Sequence, residues 1–99
     1  MLNITKNIHE TELTVVLTGR LDTVTAPELE KELKASLDGV TALIIDMAAL
    51  EYISSAGLRM LLSAQKTMNK QGEMKVVHVG ETIMEIFEVT GFSDILTIE

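Results

Sequence analysis

Residues 40–47, Val-Thr-Ala-Leu-Ile-Ile-Asp-Met, constrain the fold more than any other stretch of this chain. The run is almost continuously apolar and too short for a core helix, so it predicts a central strand. Unbroken apolar sequence of this kind suits a strand buried on both faces, as in parallel sheets covered by helices. It also falls far short of the ~20 residues that span a bilayer.

The flanking segments supply helices for such a sheet. Ala26, Leu29, Leu33 and Leu37 recur at helical spacing, and Pro27 fits the first turn, where its missing N–H costs nothing. Glu30 and Lys34 form a favourable i,i+4 pair outside, and Asp38-Gly39 closes the segment. A second helix is predicted over residues 55–71 and stopped by Gly72. In it Leu58, Leu61, Leu62, Gln65 and Met68 share one face, with Arg59, Ser63, Lys66 and Lys70 opposite. Ile83, Ile86, Phe87 and Thr90 give a third short helix, closed by Gly91.

Strands fill the remainder. Leu2, Ile4 and Ile8 alternate with polar residues, as do Leu13, Val15 and Leu17; His9-Glu10-Thr11 links them as a hairpin, and Gly19 ends the second strand. Met74, Val76, Val77 and Val79 predict a further strand that contains His78, and residues 95–98 a last edge strand. The order β-β-α-β-α-β-α-β implies an α/β fold, a mixed β-sheet flanked by helices. Without internal repeats or a linker, residues 1–99 form one domain.

Composition narrows the function. A formal net charge of −7, with 8 basic residues, argues against direct binding to nucleic acid or to a membrane, both of which depend on clustered Lys and Arg. Lys66, Lys70 and Lys75 are too sparse to track a phosphate backbone, and 3% aromatic residues give no base-stacking surface. With no cysteine there is no disulfide or thiolate metal site. The opening Met-Leu-Asn-Ile-Thr-Lys-Asn lacks the pattern of a signal peptide, so a cytoplasmic protein is expected.

Catalytic signatures are incomplete. His9-Glu10-Thr11-Glu12-Leu13 begins like the zinc motif H-E-x-x-H but ends on leucine, and no glycine-rich phosphate loop occurs, so neither a metal nor another cofactor is expected. Asp46 and Glu51 lie near the end of the central strand, where turn capping explains carboxylates better than acid–base chemistry does. An enzyme is not expected.

The adjacent serines in Glu51-Tyr-Ile-Ser-Ser-Ala-Gly-Leu-Arg-Met-Leu-Leu62 are the remaining polar feature. A serine before a helix ordinarily caps it, a contribution of about 1 kcal/mol. Ala56 and Gly57 carry almost no side chain, however, which leaves the helix start sterically open to an approaching partner, and glycine there costs about 1 kcal/mol against alanine. A hydroxyl on an open helix N-terminus is also well placed to carry phosphate, because the dipole and free N–H groups favour an anion.

Together with Gly19-Arg-Leu-Asp22 and Leu43-Ile-Ile-Asp-Met47, the segment Ser54-Ser-Ala-Gly-Leu-Arg59 resembles the STAS domain of bacterial anti-sigma factor antagonists over nearly the whole chain. Members of that family commonly carry Asp-Ser-Ser/Thr-Gly-Leu at this helix, with the first serine phosphorylated. Registered on Gly57-Leu58, the resemblance implies Ser55 as the phosphoacceptor; Ser54 replaces the usual aspartate and Ala56 the second Ser/Thr. It further implies a partner switch: the unmodified protein binds an anti-sigma factor that is a serine protein kinase, phosphorylation breaks the complex, and a phosphatase resets it. The docking surface it implies comprises Asp22 and Thr23, Ser54, Ser55, Ala56, Gly57 and Leu58, and the exposed side of the second helix. Met60, at the margin of the apolar face, is either a partner contact or peripheral core. The alternative is a constitutive STAS subunit of a transporter or signalling assembly, which needs the fold but not the phosphate.

Overall fold

Alternating side chains and a two-residue link, Glu10-Thr11, pair β1 (Leu2–His9) antiparallel with β2 (Glu12–Leu21), and Glu10 adopts the positive φ (57°) that so tight a turn demands. The computed structural model describes residues 1–99. After β2 come α1 (Ala26–Ser36), β3 (Ala42–Ile53), α2 (Ser55–Gln71), β4 (Glu73–Val77), α3 (Glu81–Thr90) and a single 3-10 turn, Phe92–Asp94. The four strands lie in sequence order, with β2–β3 and β3–β4 parallel. The sheet is therefore mixed, as expected.

Both parallel connections advance across the sheet in the same direction. Right-handed crossovers then put α1 and α2 on the same face. Burial agrees. Leu13, Val15 and Leu17 of β2, Leu43, Ile45 and Met47 of β3, and Met74 and Val76 of β4 join one core with Leu29, Leu33, Leu61, Met68, Ile83 and Phe87 of the helices. Their neighbours in sequence, Thr14, Val16, Ile44 and Val77, point to the opposite face and are only half-buried. The expectation that residues 40–47 are buried on both faces is thus corrected. All helices cover one side, and the apolar character of Ile44 answers only to its cross-strand neighbours.

Three further expectations need revision. Gly19 does not end β2: it lies inside the strand at φ 107°, where a Cβ would collide with the Met1 carbonyl, and the strand continues to Leu21. His78 sits outside β4, exposed and at φ 58°, with its Nδ1 3.1 Å from Asp46 Oδ1. Residues 95–98 form no strand; Ile98 makes one isolated parallel bridge to Val76. By contrast, Gly91 closes α3 in the left-handed conformation (φ 82°), as a glycine at that position should.

Candidate functional site

β3 is longer than its apolar run because it is bulged. Val16 pairs with Asp46 but Thr18 with Ala49, and Gly19 pairs with Leu50 but Arg20 with Tyr52, so β3 inserts an extra residue twice. Each insertion shifts the face on which side chains emerge. Met47, Leu50 and Ile53 all enter the core although they are three residues apart. Asp46 serves the first irregularity: its Oδ1 accepts from the Ala48 N–H at 3.0 Å. That bond, more than the nearby His78, holds the Asp46 carboxyl below its ordinary range.

The bulges bring β2 and β3 to a common end. Leu21 pairs with Ile53, and the Ser54 N–H donates to the Leu21 carbonyl at 2.9 Å. The chain then turns directly into α2. Ser54 is extended (φ −97°, ψ 176°), and its Oγ accepts from the Gly57 N–H at 3.3 Å, the bond of an N-cap serine. Ser55 is the first helical residue. It is exposed, and its hydroxyl makes no hydrogen bond within the protein. The two adjacent serines have different surroundings in the structure, with Ser54 closing the helix and Ser55 left free.

Gly57 is the main correction at the site. Far from leaving the helix start open, it faces inward, and a Cβ there would lie 2.8 Å from Leu21 Cγ and 2.8 Å from Ile53 Cγ1. The glycine lets the first turn of α2 rest on the ends of β2 and β3. Leu58 and Met60 are buried as well, at 6% exposure each. Little of either side chain reaches the surface; Met60 packs at the edge of the core and also forms part of the wall of a surface cleft. Ala56 is half-buried beside the exposed Ser55.

Asp22 plays a local part. Its Oδ1 accepts from the N–H groups of Val24 and Thr25, each at 3.0 Å, while the Thr25 hydroxyl donates to the Arg20 carbonyl and accepts from the Asp22 N–H, each at 2.8 Å. The Thr25 N–H, the strongest of several donors, lowers the Asp22 pKa against the opposing effect of burial. This network fixes the loop that leads into α1 and leaves Thr23 exposed at its tip. Arg20 lies 4.3 Å over the Tyr52 ring, with its Nε 3.9 Å from Asp22 Oδ2. Sequence reading passed over the stacked pair, since only the β2–β3 register makes the two residues neighbours.

Between α1 and α2 runs an open cleft of about 330 Å³, lined by Thr23, Ala26 and Pro27 on one side and Ala56, Arg59 and Met60 on the other. Thr23 and Ala56 thus face each other across the cleft, and Ser55 precedes Ala56 in the chain. The surface offers a free hydroxyl, a fixed loop and a shallow groove at the carboxyl end of parallel strands, where α/β folds characteristically place binding sites.

The STAS domain family model matches residues 3–99. The chain is 36% identical over 88 residues to BtrV of Bordetella bronchiseptica, named a candidate anti-sigma factor antagonist, with 87% of this chain and 76% of that one covered. It is 28% identical over 98 residues to the anti-sigma-B factor antagonist of Bacillus subtilis, covering 98% of this chain and 90% of that protein. The crystal structure of an anti-sigma factor antagonist from Mycobacterium paratuberculosis superposes with a TM-score of 0.89 at 28% identity, over 99% of this chain and 85% of that one. No helix here is long and apolar enough to cross a membrane. On its sequence match and its fold, the chain belongs to the STAS domain family.

Proposed function

We propose that this protein is an anti-sigma factor antagonist that binds a serine-kinase anti-sigma factor through the surface around Ser55 and is released when Ser55 is phosphorylated. The observation that carries the proposal is the division of labour between the serines: Ser54 makes the cap bond, and the exposed Ser55 hydroxyl is engaged with nothing. The names of the relatives support an anti-sigma factor as the partner; that this factor is a serine kinase is what the STAS resemblance implies. In the transfer step, the Ser55 Oγ forms a bond to the γ-phosphorus of ATP, the bond to ADP breaks, and the hydroxyl proton passes to a base on the kinase. A phosphatase returns the hydroxyl.

Phosphate at the first helical position is compatible with the fold. It brings about −1.5 to −2 charges. These interact favourably with the dipole of α2 by about 0.3 to 1 kcal/mol. A partner surface shaped around a hydroxyl must instead take in a bulky dianion. Thr23, Ser54, Ser55 and Ala56 form the centre of the contact, and Asp22 contributes by holding the loop.

Incubation with the kinase and ATP, followed by peptide mapping, tests the assignment. Phosphate on Ser55 is expected. Modification of Ser54 or Thr23 with Ser55 untouched overturns it.

A further inference from the structure

α2 contains Arg59, Lys66 and Lys70 and not one acidic residue, in a chain whose net charge is −7. The helix therefore carries three positive charges and the rest of the protein ten negative ones. All three cations are exposed and none makes an ion pair; of the other five basic residues Lys6, Arg20, Lys34 and Lys75 are each paired with a carboxylate, and Lys31 on α1 is the one other exposed cation without a pair. At 100° per residue, Ser55, Arg59, Ser63, Lys66 and Lys70 fall within an arc of about 80°. The result is a one-sided basic stripe about 17 Å long between Arg59 and Lys70, and it begins one turn after Ser55.

Helix stability does not account for this arrangement. Lys70 in the last turn suits the dipole, but Arg59 and Lys66 lie outside that turn. The first turn lacks the acidic residue that an N-terminus favours. Nor do the basic side chains serve packing, since the core contacts of α2 come from Leu58, Leu61, Ala64 and Met68 on the other side.

We propose that this stripe is a docking surface for an acidic patch on the partner protein, with Arg59, Lys66 and Lys70 steering the encounter toward Ser55. The proposal rests on the partner-switch reading of the preceding subsection; the STAS resemblance implies the exposed side of α2 as part of the contact, and the charges on it assign the chemistry of what it meets and its part in the encounter. Charge complementarity identifies the occupant: the rest of this molecule carries a net −10 and offers one isolated unpaired cation, Lys31, so an acidic surface is attracted most strongly to the three grouped on α2. A second copy of the chain would bring its ten other negative charges against a net −7 surface. Three cations without aromatic neighbours are too few to track a nucleic acid against that field. The stripe alone is too narrow for a stable interface of about 800 Å² per partner. Its part is to raise the association rate and set orientation, which is what rim charges do. The same stripe gives phosphorylation a second effect. A dianion on Ser55 cancels most of its positive charge at the end nearest the contact, so the acidic patch that was attracted loses its attraction.

The experiment uses the full chain and the kinase that phosphorylates Ser55, with stopped-flow association measured at several salt concentrations. Lys66→Gln/Lys70→Gln leaves the Ser55 contact untouched. It should slow association by about 3- to 10-fold, flatten the dependence on salt, and change dissociation by less than about 2-fold. Wild-type rates in the double variant, or a loss confined to dissociation, overturn the proposal. So does a stripe that binds a duplex DNA oligonucleotide, or a second copy of the chain by sedimentation, in preference to the kinase. Circular dichroism of the variant at wild-type intensity shows that α2 persists. Should no kinase phosphorylate Ser55, it is the partner-switch reading that has failed, a result separable from an unaltered rate in a system where phosphotransfer occurs.

Discussion

Leu21 and Gly57 are in contact across 36 positions of sequence, and the contact is possible only because Gly57 has no side chain. A Cβ on Gly57 would stand 2.8 Å from Leu21 Cγ and 3.0 Å from the Leu21 carbonyl oxygen. Ser54, three residues earlier, hydrogen-bonds that same carbonyl at 2.9 Å. The turn that presents Ser55 is thereby clamped to the end of β2.

Gly57→Ala is expected to destabilise the domain. Helix propensity favours alanine by about 1 kcal/mol, but overpacking typically costs ~1 to 3 kcal/mol. The backbone oxygen of Leu21 and the buried side chains beside it leave little room for relaxation. The net loss is at most about 2 kcal/mol, and each kcal/mol lost lowers Tm by roughly 4 to 8 °C in a domain of this size. Calorimetric melting decides the matter; an unchanged or raised Tm would show that the first turn shifts freely.

Substituting the serines one at a time should separate their roles. Ser54→Ala removes the acceptor for the Gly57 N–H and should cost about 1 kcal/mol. Ser55→Ala removes a hydroxyl that bonds to nothing and should change stability by less than ~0.5 kcal/mol, while abolishing phosphorylation. Denaturant unfolding paired with a phosphorylation assay reads both. Equal stability losses in the two variants would show that Ser55 also carries structure.

Phosphorylated protein should melt cooperatively, within a few degrees of the unmodified form, because the added charge sits at the favourable end of α2. Its affinity for the kinase should fall by about 30-fold or more, the usual outcome when an unpaired charge must be buried at an interface. Ser55→Asp should lose less, having one charge and less bulk. Titration calorimetry on the three proteins makes the comparison; equal affinities would sink the switch.

The acid limb of stability should depend on Asp22. Its pKa in the folded protein lies below the ordinary 3.8 because the Thr25 and Val24 N–H groups favour the carboxylate. The ionised form is thus stabilised by folding. That contribution is complete above pH ~3.8 and is lost as pH falls through the depressed folded value. Asp46 behaves alike through Ala48, and Glu32, held down by Lys6, does so below its ordinary 4.5. Asp22→Asn retains an acceptor but no charge, so Tm should fall less steeply between pH 5 and 2 than in the wild type. Parallel slopes in the two proteins would mean that the loop does not select the carboxylate.

Much of the fold is legible in local pattern. The 3.6-residue period of Leu58, Leu61 and Met68, the serine pair before it and Gly72 after it mark α2 at Ser55–Gln71. The alternation in β1 and β2 and the closing glycine of α3 are equally local signals, each a property of a few consecutive residues. Ser55 and the family are legible for the same reason, since the residues that carry them are contiguous.

What sequence alone could not determine depends on residues far apart in the chain. Residues 40–47 read as buried on both faces because an apolar run does not say how many layers cover it; the direction of two crossovers decided that only one does. The extension of β3 to Ile53 was hidden because two bulges break the period of two, and bulges arise from pairing with β2. The same register stacks Arg20 on Tyr52 and presses Leu21 against Gly57, so a glycine that reads as an opening is instead a close-packed contact. Sequence by itself determined which residues begin α2 and that a serine pair stands at its start. Tertiary structure decided which of them are exposed, because burial is fixed by the strand ends on which the helix rests.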